Sequence, residues 1–278
     1  MTERKGYINS LYHCALLLVA GAILQLCFGP LDRGFLAYPW GVIIALNYLY
    51  LLILAYAKAD RWKWVKRLYD HYTSIAALAM MVVVSMVMGF VRIVDTWVFA
   101  LAMLHFTTVM GLCAIDDVYN WKKGRLVPKV AHVALFIILF AGVFGSGDKQ
   151  RLIVRVEEGK SVHLGMTREH KAEKLPFTLT LEDFSVEYYP SGEPKRYLSK
   201  VELKPFDAEE KKLEIEVNKP GKYKAWRIYQ NHYELGEKDV SIFECVKDSW
   251  YSAVWIALWG LICAGCGMFF SVKKKKKE

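Results

Sequence analysis

The sequence predicts a polytopic α-helical membrane protein of six transmembrane helices, with a small, mostly antiparallel β domain outside the cytoplasm, inserted before the last helix. Three observations carry that prediction. Six apolar stretches are long enough, or nearly so, to cross a hydrocarbon layer that needs about 20 helical residues. Basic residues cluster in the loops at alternate ends of those stretches. Between the fifth and sixth stretches, roughly 100 residues change their apolar period from helical to two.

The spans fall at 8–28, 36–57, 72–91, 96–114, 130–145 and 250–270. The first has no small-x-small cleavage site after it and reads as a retained anchor. The second carries Asn47 and several tyrosines, and the fifth is short. Arg4 and Lys5 precede the first span, while Lys58, Arg61, Lys63, Lys66 and Arg67 follow the second. Lys122, Lys123, Arg125 and Lys129 follow the fourth, and Lys273 to Lys277 end the chain. The other loops are nearly neutral, with Asp32 beside Arg33 and Arg92 near Asp95. Every basic segment lies on one side if both termini are cytoplasmic. The chain then divides into a five-helix region 1–145, an extracytoplasmic β domain 146–249, a sixth helix 250–272 and a basic tail 273–278.

Composition agrees with a bilayer. The 278 residues are 54% hydrophobic and 14% aromatic, where a soluble chain is nearer half apolar. The net charge of +9 sits beside the apolar runs, so no nucleic-acid partner is expected and the lipid bilayer is. Trp62-Lys-Trp64-Val-Lys66 reads as an anchor against anionic lipid.

Within the β domain, Leu152, Val154 and Val156 alternate with polar or outward positions, as do Leu213, Ile215 and Val217. Residues 223–229 and 240–245 also read as strands, with turns at Glu157-Glu-Gly159 and Lys219-Pro-Gly221. The run from Leu175 is the most informative. Phe177, Leu179 and Leu181 share one face, then the apolar set slips by one to Phe184, Val186 and Tyr188. A slip of one residue reverses the faces, so a bulge or bend is expected at Glu182-Asp183. Pro190-Ser-Gly192 ends that strand with a turn.

An ionisable side chain in the apolar layer is costly unless paired, which makes intramembrane histidines candidates. His13 and His71 lie at the ends of spans, where water or headgroups solvate them. His105 is in the middle of the fourth span beside Thr107 and Thr108, and either a bond to a neighbouring helix or a site role fits it. His132 lies one turn into the fifth span, where a neutral imidazole can ligate iron or another metal. One histidine cannot fill two axial positions of a haem. Composition alone favours a hydrogen-bonded histidine there. Of six cysteines, Cys14, Cys27, Cys113, Cys263 and Cys266 lie in or at the edge of apolar runs, and with Cys245 they show no disulfide or zinc spacing. Cys263-Ala-Gly-Cys266 invites a redox reading, yet no helix N-terminus or basic side chain adjoins it, and helix packing is the expectation. His163, His170 and His232 are scattered through the β domain, and no set of catalytic residues has a recognisable spacing.

Three blocks stand in order: Ala131-His132 through Gly142 and Gly145 with Val156-Glu-Glu-Gly159; Leu175-Pro-Phe177 through Pro194-Lys195; and Ile215-Glu-Val-Asn218-Lys-Pro220 with Trp226-Arg-Ile-Tyr229-Gln230 and Val246-Lys-Asp248. Together they resemble the ResB/CcsB family of cytochrome c biogenesis proteins, which serve the second cytochrome c maturation system. Family members usually have fewer helices before the histidine span and a longer outer region. The resemblance implies a protein of the bacterial cytoplasmic membrane that works with a CcsA/ResC-type haem-handling partner. The pair moves haem b outward and attaches it to apocytochrome c, with haem held transiently between them. His132 would be an axial haem ligand shared with the partner, with His105 as a weaker candidate. Alone, the chain is expected to be non-catalytic, a subunit of a haem-attachment complex. Two rival classes remain, a thiol-redox membrane protein using Cys263 and Cys266, and a sensor or transporter with a ligand-binding β domain.

The topology has a direct test. With the native cysteines replaced, Gly192→Cys should react with an impermeant thiol reagent in intact cells or spheroplasts. Reaction only after lysis would overturn the orientation.

Overall fold

The computed structural model describes residues 2–236 and 239–275. The chain forms two compact units, Met1–Asp148 with Trp250–Glu278, and Lys149–Ser249.

The first unit is helical: α1 (Thr2–Phe28), α2 (Trp40–Ala57), a short α3 (Lys63–Leu68), α4 (His71–Met88), α5 (Trp97–Tyr119), α6 (Leu126–Phe144) and α7 (Tyr251–Lys275). Six of these are long and apolar enough to cross a membrane. Their outer surface is apolar, with Leu26 88% and Ile256 73% exposed, as suits a protein solvated by lipid tails. α5 packs against α1, α2, α4 and α6. The core between α1, α4 and α5 holds Cys14, Ala77, Met80, Ala102, Phe106 and Met110. Gly21 permits the close approach of α1 to α5, because a Cβ there would lie 2.7 Å from the Val98 Cα.

Several helix ends differ from expectation, each for a local reason. The span expected from residue 36 begins at Trp40, because Gly34–Leu36 forms a 3-10 turn closed by the Ala37 N–H donating to Gly34 O. Asp70 and Thr96 cap α4 and α5 by accepting from the backbone N–H of Thr73 and Phe99. α5 runs past residue 114 through Asp116-Asp117 to Tyr119. α6 starts at Leu126, with Pro128 in its first turn, where a missing N–H leaves no bond unmade. Residues 63–68, expected within a basic loop, form α3. α7 continues to Lys275 beyond the expected end at 272, and the last three residues of the basic tail 273–278 lie outside the described residues.

The second unit is a single eight-stranded sheet in the order β5-β4-β3-β2-β1-β8-β7-β6. The strands are β1 (Gln150–Glu157), β2 (Ser161–Met166), β3 (Ala172–Tyr188), β4 (Pro194–Pro205), β5 (Lys211–Glu216), β6 (Gly221–Tyr223), β7 (Trp226–Glu234) and β8 (Val240–Lys247). All neighbouring strands pair antiparallel. The edge strands β5 and β6 are consecutive in sequence, and a Cβ on Gly221 would meet the side chains of Ile215 and Leu213 at 3.1–3.2 Å. The sheet has therefore rolled until its edges approach, which makes it barrel-like and leaves little free edge. Every strand contributes to one core, including Leu152, Phe177, Val201, Ile215, Ile228 and Phe243.

β3 carries the expected bulge. Phe177, Leu179 and Leu181 are fully buried, the register shifts between Leu181 and Asp183, and Phe184 and Val186 then return to the core. Gly192, at φ +85°, closes the turn by donating to Tyr189 O at 2.9 Å. Elsewhere the strand reading needs correction. The expected strand 223–229 breaks after Tyr223, because Lys224 adopts φ +49° and begins a turn into β7. Val217 lies beyond β5 and is exposed, since Asn218 at φ +69° has begun the next turn. Strand β2 was not anticipated, nor was β4 after the Gly192 turn.

The core holds one polar cluster. Ser199 Oγ donates to Gln230 Oε1 at 2.6 Å and lies 2.8 Å from Ser241 Oγ, while Gln230 Nε2 donates to His232 O at 2.9 Å. Cys245 of β8 is buried in the same core, and burial pushes its thiol up to about 12, so it is inert.

Where β4 meets β5, the Arg196 guanidinium forks onto Glu216, Nε to Oε2 at 3.0 Å and Nη2 to Oε1 at 2.7 Å. That pairing holds the Glu216 carboxyl down at about 2. A depressed carboxyl contributes stability above its unfolded value and loses it as pH falls through its folded one. The full-length chain should therefore exceed Glu216→Gln in thermal midpoint at pH 7, and the difference should shrink between about pH 4.5 and pH 2. A difference that does not vary over that window would contradict the pairing.

Candidate functional site

Polar side chains gather where α5 ends and α6 begins. Among them, Lys129 of α6 is 6% exposed, and its Nζ donates to the carbonyls of Asn120 and Lys123. It thereby satisfies acceptors freed at the end of α5. Asp116 accepts from Tyr56 Oη of α2 at 2.8 Å and from Asn120 Nδ2 at 3.2 Å. Asp117, the next residue, turns to α6 and meets His132, with Oδ2 2.6 Å from Nδ1. The His132 side chain is 44% exposed and that of Asp117 is 21% exposed.

His132 is the seventh residue of α6, so it lies about two turns into the helix rather than the one expected, because α6 starts before Pro128. An ionised carboxylate only accepts hydrogen bonds, so beside it Nδ1 is the donor, and in the neutral imidazole Nε2 is then the nitrogen with the lone pair. That is the arrangement of a metal-ligating histidine held from behind by a carboxylate. The donor set fits one axial position of a haem iron. Among the described residues, no group of three or more His, Cys, Asp or Glu side chains could hold a metal ion.

The other histidines are elsewhere. His105 precedes Asp117 by 12 positions on α5, which is about 18 Å along the axis, so His105 and His132 cannot ligate one iron. Of the two readings the sequence left open for His105, a bond to a neighbouring helix is not made through Nε2, which is buried without a partner. Thr107 and Thr108 instead donate to the carbonyls of Met103 and Leu104 on their own helix. His13 is exposed on α1. His71 starts α4 and its ring lies 6.4 Å from that of Tyr7 and 5.9 Å from that of Tyr72. Trp62 and Trp64 stack at 6.3 Å at the start of α3, both exposed. Cys263 and Cys266 correct an expectation: both are exposed on α7 and so are not packed inside this chain.

Asp117 was missed by sequence reasoning. The available signal was a pair of acidic residues ending an apolar run 15 positions before His132. Nothing in that spacing says which partner each carboxylate takes.

Fold and site together define a polytopic membrane protein with a barrel-like β unit inserted before its last helix. The chain belongs to the ResB-like family, whose model matches residues 122–272. It is similar to the cytochrome c biogenesis protein CcsB of Synechococcus sp. (strain WH7803), 31% identical over 119 residues, which is 43% of this chain and 27% of that protein. CcsB of Prochlorococcus marinus (strain NATL1A) is 29% identical over the same length and shares. The cytochrome c biogenesis protein Ccs1 of Heterosigma akashiwo (strain NIES-293 / 8280G21-1) is 30% identical over 118 residues, 40% of this chain and 27% of that protein. The chain thus matches about a quarter of the length of these relatives. A solved cytochrome c haem lyase, CcmF, aligns with 91% of this chain and 43% of its own at 14% identity and a TM-score of 0.38, a likeness too slight to bear on fold or function.

The exposed cysteines make a prediction. Neither has a hydrogen-bond or disulfide partner among the described residues. If the chain serves the process for which its relatives are named, replacing Cys263 and Cys266 with alanine should leave cytochrome c maturation near normal. Loss of maturation with normal protein levels would restore the thiol-redox reading.

Proposed function

We propose that this chain is a subunit of a membrane complex that matures cytochrome c, and that His132 supplies one axial ligand to haem in a site completed by a partner. The single observation that carries the proposal is a half-exposed imidazole with Nδ1 engaged and Nε2 open, inside the segment that matches the ResB-like family. The relatives named as cytochrome c biogenesis proteins support the process. In this reading the chain lies in the bacterial cytoplasmic membrane with both termini inside and residues 146–249 outside, as the basic loops favour. The bundle end holding His132 then faces the cytoplasm, where haem is made.

Haem b is the cargo, and its iron takes two axial ligands. His132 offers one. A CcsA/ResC-type partner offers the second and carries the remaining haem-handling surface, and apocytochrome c is the acceptor. The chain therefore does no chemistry alone. Lys129 keeps the α5–α6 turn closed, which sets the start of α6 and the depth of His132.

His132→Gly tests the assignment. The variant should accumulate, yet the complex purified with its partner should carry less haem and cytochrome c maturation should fail. Imidazole added to the medium should partly restore both by filling the vacated position. Unchanged haem content would remove His132 as a ligand and move attention to His105.

A further inference from the structure

The geometry points to Asp117 as the positioning residue for His132, fixing the imidazole with Nδ1 protonated and Nε2 presented to iron. This rests on the reading of His132 as a haem ligand. It adds a residue outside the segment that matches the family, since Asp117 lies on α5 and the match starts at residue 122.

Three observations carry it. The separation of 2.6 Å is short for a nitrogen–oxygen bond, in the direction that an ionised partner shortens it. Among the described residues, His132 is the sole ion-pair partner of Asp117. The surrounding polar groups are otherwise engaged: Asp116 with Tyr56 and Asn120, Lys129 with two backbone carbonyls, and Cys113, one turn back on α5, with Ser74 Oγ at 3.6 Å. Two consecutive carboxylates thus serve different helices. Asp116 joins α5 to α2, and Asp117 joins α5 to α6.

A carboxylate behind a ligating imidazole does two things. It removes ring rotation and the competing tautomer, and it draws on the Nδ1 proton so that Nε2 becomes a stronger donor. A stronger donor favours ferric over ferrous iron and lowers the reduction potential. A purely structural bond between two helices would leave that potential where it was.

Asp117→Asn, nearly the same shape, and Asp117→Leu, which cannot accept, separate these roles. In the haem-free chain, nitrogen-15 spectra should show His132 protonated at Nδ1 in the native protein and shifted toward protonation at Nε2 in Asp117→Leu. In the complex purified with its partner, Asp117→Asn should weaken haem affinity about 10- to 100-fold and raise the reduction potential. Native His132 protonated at Nε2, or an unchanged potential and affinity in Asp117→Asn, would overturn the proposal. If His132→Gly still lowers haem in that case, only the role of Asp117 fails. If His132→Gly keeps its haem, the ligand assignment itself fails.

Discussion

Polar groups within a hydrocarbon layer must find their partners inside the protein, because no water is there to take their place. In the helical unit much of this constraint is met by side-chain pairs that each join two helices, while Nε2 of His105 and Nε1 of Trp97 are buried without a partner. Ser10 meets Thr73 at 3.1 Å, Tyr48 meets Thr108 at 2.8 Å, Tyr56 meets Asp116 at 2.8 Å, and His132 meets Asp117 at 2.6 Å. α5 supplies one member of three of these four pairs, which makes it the common partner of α2 and α6. Each such bond contributes only about 0.6 kcal/mol on average within a membrane. Their larger effect is on register, because removing one partner leaves the other unsatisfied. Where the helices must approach without polar pairing, small residues permit it, as Gly21 does against Val98.

The β unit meets the opposite difficulty. Its outer surface can take hydrogen bonds from water, but an eight-stranded sheet has two edges to protect. Rolling the sheet brings β5 beside β6 and gathers every strand around one apolar core. β1 and β8 pair over eight residues, from Gln150 with Lys247 to Glu157 with Val240, so the chain enters and leaves this unit on adjacent strands. The bulge in β3 keeps both halves of a 17-residue strand facing that core.

Much of this was legible in the sequence because the solvent imposed it. A bilayer dictates helix length, so six apolar runs announce six helices, and a half-buried strand dictates a period of two, so the slip at Glu182 announces the bulge. Helix ends were less legible. α5 outlasts its apolar run because Asp116 and Asp117 find partners on α2 and α6, and the 60 positions between Tyr56 and Asp116 carry no signal of contact. The break after Tyr223 was hidden because lysine at positive φ has no signature as glycine does. His132 stood out through its family resemblance, whereas Asp117 becomes visible only once α5 and α6 lie side by side. The cysteine pair shows the reverse error: small, apolar neighbours suggested packing, but the helix face they share is the exposed one.

The claim that a carboxylate-held imidazole two turns into α6 takes one side of a haem iron is tested most directly by a structure of the haem-loaded complex with the partner. His132 Nε2 should lie within coordination distance of iron, with a second axial ligand from the partner and Nδ1 still bonded to Asp117. Iron held by other residues, with His132 Nε2 outside coordination distance, would contradict it.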